Sequence, residues 1–296
     1  MMIRNAIGPY QLVRLLGHGG MGEVYLAHAH GASGFTRKVA IKVLAAALTG
    51  DADLEKMLIR EAAIGGMIHH RNVCAVLGLG VDEGTYYLIL EYVDGGDLDA
   101  HLQASALPEP LALHIVHELA LGLAHLHAAC DERGLPLGIV HRDVRPGNVL
   151  VSTTGDLKLG DFGLAKVTAR VDSTAAGVRK GQYRYMAPEQ LAGELVSSAS
   201  DQFALAITLA ELLTGHRPYP DARPWELGAI LRAGPTLDGI AGDLRAILTT
   251  ALAIDPAERF ASVDAMRLAI AEAQATGPRC GAAEVAAWVT ARASAR

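Results

Sequence analysis

Near Glu91 to Asp97 the chain changes character, and that change limits which folds it can adopt. From Tyr10 to Leu90 the stretches "YQLVRLLG", "GEVYLAHA", "KVAIKVL" and "TYYLILEYV" are β-branched or aromatic and punctuated by glycine, the pattern of half-buried strands. One helical segment interrupts them, from about Asp51 to Ile68, with Leu54, Met57, Leu58 and Ala62 at helical spacing and acidic residues in its first turn. After "DGGD" at 94–97 the segments become alanine- and leucine-rich: "PLALHIVHELALGLAHLHAAC", "SDQFALAITLAELL", "LGAILRAG", "DLRAILTTALAI" and "SVDAMRLAIAEAQA". A strand-rich N-terminal third thus precedes a helical remainder, with a hinge expected over 91–97. "ATGPRCG" at 275–281 breaks the last of these helices, and 282–296 reads as a short separate helix.

The 296 residues suffice for one large domain or two lobes, and a formal net charge of -6 gives no basic surface for nucleic acid or an anionic membrane. Cys74, Cys130 and Cys280 lie far apart without metal-type spacing, so reduced thiols and a cytoplasmic setting are expected. The N-terminal "MMIRNAIGPYQLVRLLG" has no apolar core of signal-peptide length. The most apolar run, Phe203 to Gly215, carries Glu211 and falls short of the roughly 20 residues that span a bilayer, so it reads as a buried helix and no membrane span is expected in this chain.

The stretch "IVHRDVRPGNVL", 139–150, places Arg142, Asp143, Arg145 and Asn148 between apolar flanks, Ile139-Val140 and Val149-Leu150-Val151, that read as short buried strands. A loop tied at both ends holds charge still. Upstream, "LGHGGMGEV" spaces Gly17, Gly19 and Gly22 as GxGxxGxV between two strands, which suits either a flexible hairpin or backbone N–H groups close to a phosphate. A strand on both sides disfavours a dinucleotide-binding turn, which leads into a helix. Lys42 is a lone cation in the apolar strand "VAIKVL", either snorkelling from an edge or facing a buried anion, and the helical Glu61 is the available partner. Asp161 of "DFG" follows the strand "DLKLG"; with Asn148 it offers hard oxygen ligands suited to Mg2+, leaving Asp143 to accept a proton.

In this order, GxGxxGxV, VAIK, a helical Glu, HRDxxxxN, DFG and the "APE" of 187–189 resemble the protein kinase signature set, over about Tyr10 to Ala271. "MAPEQL" and "DPAERF" look most like the bacterial, eukaryotic-like Ser/Thr protein kinases. The resemblance implies an α+β, two-lobed protein kinase fold: a small antiparallel sheet with one main helix over 10–91, a hinge over 91–97, and a larger, mainly helical lobe over 98–271. Residues 1–9 would be an N-terminal extension and 272–296 a C-terminal tail.

It also implies roles. ATP would lie under the glycine loop of Gly17, Gly19 and Gly22, with Val24, Ala40 and Leu150 lining the adenine and Leu90 as gatekeeper. Glu91 to Val93 would present backbone groups to the base, Asp97 would contact the ribose, and Lys42, paired to Glu61, would bind the phosphates. Asp143 would be the base, Arg145 would approach the γ-phosphate, and Asn148 and Asp161 would hold Mg2+. Glu189 would pair with Arg259, and Asp201 would brace the catalytic loop. The implied partners are protein substrates with Ser/Thr acceptors, with transient self-association for autophosphorylation; a pseudokinase scaffold that binds nucleotide without transfer is the alternative.

The chain departs from the pattern at three places. Arg145 stands where Ser/Thr kinases carry lysine, and Gln182 where the "GT" threonine is usual. Gly65-Gly66 leaves a small face on the Glu61 helix where an apolar side chain usually packs on Phe162, so a loosely held helix is expected. Between DFG and APE, Thr174, then Ser173 and Thr168, are candidate phosphosites, since Arg142 beside Asp143 resembles the arginine of kinases whose activation segment is organised by a phosphate on this loop. The histidines at 28 and 30, 69 and 70, and 125 and 127 lack a completing zinc set and read as packed or solvated.

Overall fold

The structure, a computed structural model, describes residues 5–19, 22–44, 52–102, 105–161, 182–220, 225–240, 242–275 and 277–293. Thr168, Ser173, Thr174 and Phe162 lie outside the described residues. The described residues form two compact units. The first draws on Met1–His69 and Cys74–Val93, the second on His70–Val73, Asp94–Phe162 and Lys180–Arg296.

In the first unit, strands β1 (Ala6–Ile7), β2 (Tyr10–Gly19), β3 (Gly22–His30), β4 (Thr36–Leu44), β5 (Val76–Asp82) and β6 (Thr85–Glu91) pair antiparallel in the order β1-β2-β3-β4-β6-β5. Alternation along β4 sorts its side chains between two clusters. Val39 and Ile41 join Ile7, Ala27, Tyr87 and Ile89 on one face. Leu44 joins Leu88 on the other, where helix α1 (Ala52–Met67) adds Leu58 and Ala62. Ile41, Leu58 and Leu88 are almost fully buried, and each such side chain contributes roughly 1.5–3 kcal/mol.

Strand β5, "VLGLGVD", is not apparent from alternation because Gly78 and Gly80 interrupt it. The structure supplies their reason: a Cβ on Gly80 would lie 2.2 Å from the Tyr87 ring, so the glycine lets that ring cover the strand. Gly65 works in the same way. Its face is filled by Val76 of β5, whose Cγ2 would sit 2.8 Å from an added Cβ, so no gap lies there. Gly66, by contrast, has room, with only the Val76 carbonyl oxygen at 4.0 Å. We therefore expect Gly65→Val to destabilise the protein by about 1–3 kcal/mol through overpacking, whereas Gly66→Ala stabilises it by about 0.4–1 kcal/mol. Urea unfolding of the two variants checks the difference in sign.

The second unit holds strands β7 (Gly95–Asp97), β8 (Val149–Ser152) and β9 (Leu157–Leu159), paired in that order. Its helices are α2 (Leu98–Leu102), α3 (Glu109–Ala128), α4 (Pro188–Leu191), α5 (Ser198–Thr214), α6 (Leu227–Ala233), α7 (Gly242–Ala251), α8 (Val263–Ala273) and α9 (Ala282–Ala293). Helix α5 contains the apolar run from Phe203 and is buried nearly all round. The Ser197 hydroxyl accepts from the Ala199 N–H at its start, and Gly215 ends it at φ 76°, its N–H donating to the Glu211 carbonyl. Helix α3 is the one described helix long and apolar enough to cross a membrane by length and composition, and more than half of that stretch is buried against the rest of the protein.

Ile139-Val140 does not form the expected strand. The amides that follow it, of His141 and Arg142, bond the carboxylate of Asp201 and not a neighbouring strand. The C-terminal flank is a strand, β8.

Candidate active site

The first unit gathers several of the expected nucleotide-binding residues by register alone. Val24 pairs with Lys42 across β3 and β4, and Ala40 with Leu90 across β4 and β6. Cross-strand partners share a face, as do residues two apart, so Val24, Ala40, Lys42 and Leu90 point the same way. That is the face on which α1 packs. Leu44, two residues beyond Lys42, meets Leu58, one helical turn before Glu61, which sets the lysine-bearing strand face and the glutamate-bearing helix face against each other. Both charged residues are buried, Lys42 to 4% exposure and Glu61 to 8%. Burial of that degree is tolerable only where opposite charge compensates.

The glycine loop is a hairpin end. Gly17 pairs with Val24 and Gly19 with Gly22, and Gly22 takes φ 130°, a conformation that a side chain would resist. A Cβ on Gly17 would face open space, so a ligand's approach to its backbone is unobstructed. At the end of β6 the Glu91 N–H donates to the Ala75 carbonyl at 2.9 Å, and the Ala75 N–H returns to Glu91 Oε2 at 3.2 Å. The Glu91 N–H is therefore engaged, and its carbonyl accepts from the Cys74 thiol at 3.6 Å. Val93 follows as non-strand backbone.

The second unit holds the remaining residues. Asp97 caps α2, its Oδ1 accepting from the Ala100 N–H at 2.7 Å, which leaves Oδ2 for a ligand. Leu150 lies opposite Asp97 across β7 and β8. Asn148 donates from Nδ2 to both the carbonyl of Asp143, at 2.8 Å, and its Oδ2, at 2.7 Å. With the amide nitrogen committed, Oδ1 is the end left for a cation. The Asn148 carbonyl in turn accepts from the Gly160 N–H at 2.7 Å, and Asp161 is the next residue. Asp143, Asn148 and Asp161 therefore belong to one hydrogen-bonded unit.

Arg142, beside that unit, and Asp161, within it, are held in the left-handed region at φ 68° and φ 58°. Each such non-glycine conformation costs about 1–3 kcal/mol and persists only where surrounding contacts impose it. For Arg142 those contacts are visible. Its N–H and that of His141 donate to Asp201 at 2.8 Å, its carbonyl accepts from Gln190 Nε2 at 3.0 Å, and Asp201 also accepts from His127 Nε2 at 2.8 Å. The fully buried His141 ring donates from Nε2 to the Gly160 carbonyl, joining the two sides of the site.

Arg145 lies against Asp143, its Nε 3.3 Å from Oδ1. Its guanidinium covers Gly147, where a Cβ would fall 2.5 Å from Nη1. Glu189 and Arg259 form a bidentate pair at 2.8 and 2.9 Å, buried and completed by the Ser200 hydroxyl at 2.6 Å and by the Ala199, Ala253 and Ile254 carbonyls. Burial by itself would raise the Glu189 pKa, but the hydrogen bonds from Arg259 and Ser200 outweigh it and hold the carboxyl below its ordinary value. Tyr185 donates to Glu211 in a partly buried pair, and burial pushes both groups upward.

His127, Gln190 and Ser200 carry no local signal of their roles, because each acts on a residue distant in sequence. The other histidines expected to be packed or solvated include a stacked pair, His70 on His125 at 4.8 Å, and among the described residues no three or more histidine, cysteine, aspartate or glutamate side chains cluster as a metal-binding group. The backbone of Gln182 starts a short 3-10 turn reaching Tyr185.

A family model for the protein kinase domain matches residues 10–269, and the chain belongs to that family. It is 38% identical over 274 residues to the tyrosine-protein kinase MasK of Myxococcus xanthus, covering 87% of this chain and 42% of that protein. It is 33% identical over 265 residues to the serine/threonine-protein kinase PknJ of Mycobacterium tuberculosis, covering 86% and 43%. With the serine/threonine-protein kinase PrkC of Bacillus subtilis it shares 35% over 213 residues, covering 72% and 31%. The chain thus spans less than half the length of these three relatives. The crystal structure of the Mycobacterium tuberculosis PknI kinase domain matches with TM-score 0.65 at 31% identity, covering 90% of this chain and 97% of that one. The fold is therefore the protein kinase fold, with an antiparallel sheet in its N-terminal unit and a mainly helical C-terminal unit.

Proposed function

We propose that this chain is a catalytic kinase domain that transfers the γ-phosphoryl group of ATP to serine or threonine hydroxyls of protein substrates. The observation that carries this reading is the Asn148 amide. Its nitrogen holds the Asp143 carboxylate while its backbone is tied to the residue before Asp161, so a base and two metal ligands are set with respect to one another before any substrate arrives. Asp143 orients the acceptor hydroxyl and takes its proton. Lys42 binds the ATP phosphates and is held by Glu61. Gly17, Gly19 and Gly22 bring backbone N–H groups to those phosphates, Val24, Ala40, Leu90 and Leu150 contact the adenine, and the Glu91 carbonyl and Val93 backbone bond its edge. Asp97 Oδ2 receives a ribose hydroxyl.

The donor set suits magnesium: Asn148 Oδ1 is turned away from Asp143, and the Asp161 carboxylate is exposed one residue beyond the link to Asn148. Bound there, the ion neutralises charge on the phosphates. Regulation by phosphorylation at Thr174, Ser173 or Thr168 belongs to the same proposal, supported by Arg142, whose Nε is buried with no hydrogen-bond partner among the described residues.

A tyrosine acceptor is the second reading. It is favoured by the name of the Myxococcus relative and by Arg145, whose planar guanidinium takes up the Asp143 carboxylate where a lysine would present a point charge. Phosphoamino acid analysis of a peptide library labelled from γ-32P-ATP separates the two, with phosphoserine and phosphothreonine expected and a predominance of phosphotyrosine favouring the second. On a serine peptide, Arg145→Lys combined with Gln182→Thr is expected to raise kcat/KM about three- to tenfold. An unchanged value shows both departures to be silent.

A further inference from the structure

Helix α9 lies beyond residue 269, where the family match ends, yet it is docked into the second unit. Val285 and Val289, four apart on one face, are 0% and 3% exposed. At the helix start, the Ala282 carbonyl occupies the space beside Gly155 in the β8–β9 turn, 1.9 Å from where a Cβ would be, so the turn and the helix meet backbone to backbone. At the helix end, Arg292 donates from Nη1 to the His101 carbonyl at 3.2 Å and from Nη2 to the Ser105 hydroxyl at 2.9 Å. Its guanidinium stacks over Trp288, 5.7 Å from the ring centroid, and that indole lies against the His101 ring at the same centroid separation.

His101 belongs to α2, and its Nε2 would be 3.3 Å from a Cβ on Gly96 of β7. Arg292 and Trp288 therefore grip the C-terminal end of the helix whose N-terminal end is capped by Asp97. Helix α2 has five residues, too few to be stable on its own, so its position depends on what holds its ends.

We propose that α9 is a strut for nucleotide binding, in which Arg292 acts as a positioning residue by fixing α2 and thereby the direction in which Asp97 presents Oδ2. Arg292 touches no substrate. The inference rests on the reading of Asp97 as a ribose ligand. Two hydrogen bonds from a charged donor to the last turn of α2 and the loop after it limit how far that helix can tilt, and the Trp288–His101 contact limits its rotation.

The test compares Arg292→Ala, Ser105→Ala and Asp97→Ala in the full chain, by calorimetric titration with the magnesium complex of adenylyl imidodiphosphate and by initial rates at varied ATP. Arg292→Ala is expected to raise the Kd and the KM for ATP roughly three- to tenfold, with the deficit vanishing at saturating ATP. Ser105→Ala shifts both the same way by less. Added to Asp97→Ala, the Arg292 change has no further effect, because the group it positions is gone. If Asp97→Ala weakens binding while Arg292→Ala and Ser105→Ala bind as the unsubstituted protein does, the strut is wrong and the ribose contact stands. If Asp97→Ala binds normally, the ribose contact is wrong and the coupling falls with it. A fall in kcat and melting temperature at unchanged KM makes α9 a stabilising element only and also overturns the proposal.

Discussion

Asp143→Asn lowers kcat for peptide phosphorylation by about a hundred- to ten-thousand-fold, the range for loss of a positioned general base, and leaves nucleotide affinity unchanged. The substitution is isosteric, and the new side-chain oxygen still accepts from Asn148 Nδ2, which in the native protein reaches both the carboxylate and the carbonyl of residue 143. The loop therefore keeps its shape and loses its proton acceptor. The Arg142 and His141 amides remain on Asp201, so the left-handed turn at Arg142 is not released. Initial rates together with calorimetry on the same preparation decide the outcome. An unchanged kcat removes Asp143 from the base role, whereas a parallel loss of binding shows that the carboxylate positions the nucleotide.

Arg259→Ala destabilises the second unit by about 3–5 kcal/mol, the penalty for stripping one partner from a buried ion pair. Arg259 is 6% exposed and Glu189 4%, and the guanidinium satisfies three backbone carbonyls besides the carboxylate. It also stacks 5.0 Å from the centroid of the Phe203 ring, in the core helix α5. The pH dependence of the loss carries a sign. In the native protein Glu189 titrates below its unfolded value, so its contribution is fully present above that unfolded pKa and fades as the pH falls through the folded one. In Arg259→Ala the uncompensated burial raises the carboxyl, so acidification neutralises it and narrows the gap between variant and parent. Urea unfolding at neutral and mildly acidic pH measures both effects; a gap that widens on acidification contradicts this account of the pair.

Legibility in the sequence followed the range of the forces involved. Strands β2, β3, β4 and β6 and helices α3 and α5 to α9 were readable because alternation and helical spacing are local, whereas the short α2 and α4 were not. Strand β5 was not, since its glycines make room for Tyr87 and Ile89 of the neighbouring strand β6, which a local pattern does not reveal. Ile139-Val140 has the composition of a strand, but the amides beyond it are claimed by Asp201, sixty residues downstream of His141. The residues of the site could be named from motif order, and Lys42 and Glu61 could be matched as two lone charges. Their supports could not: His127 reaches Asp201 across 74 positions and Gln190 reaches Arg142 across 48, separations over which no periodicity carries. Helix α9 could be drawn from its alanine-rich composition, whereas its seat on α2 emerges only when Arg292 meets His101 and Ser105.

The central claim is that Asp143, Asn148 and Asp161 form a working phosphoryl-transfer site. The most direct test is the transfer of label from γ-32P-ATP to protein hydroxyls, followed with and without magnesium, in the unsubstituted chain and in Asp161→Asn. Magnesium-dependent labelling that disappears in Asp161→Asn is the expected result. Nucleotide binding without any labelling, or labelling that persists undiminished in Asp161→Asn, would contradict it.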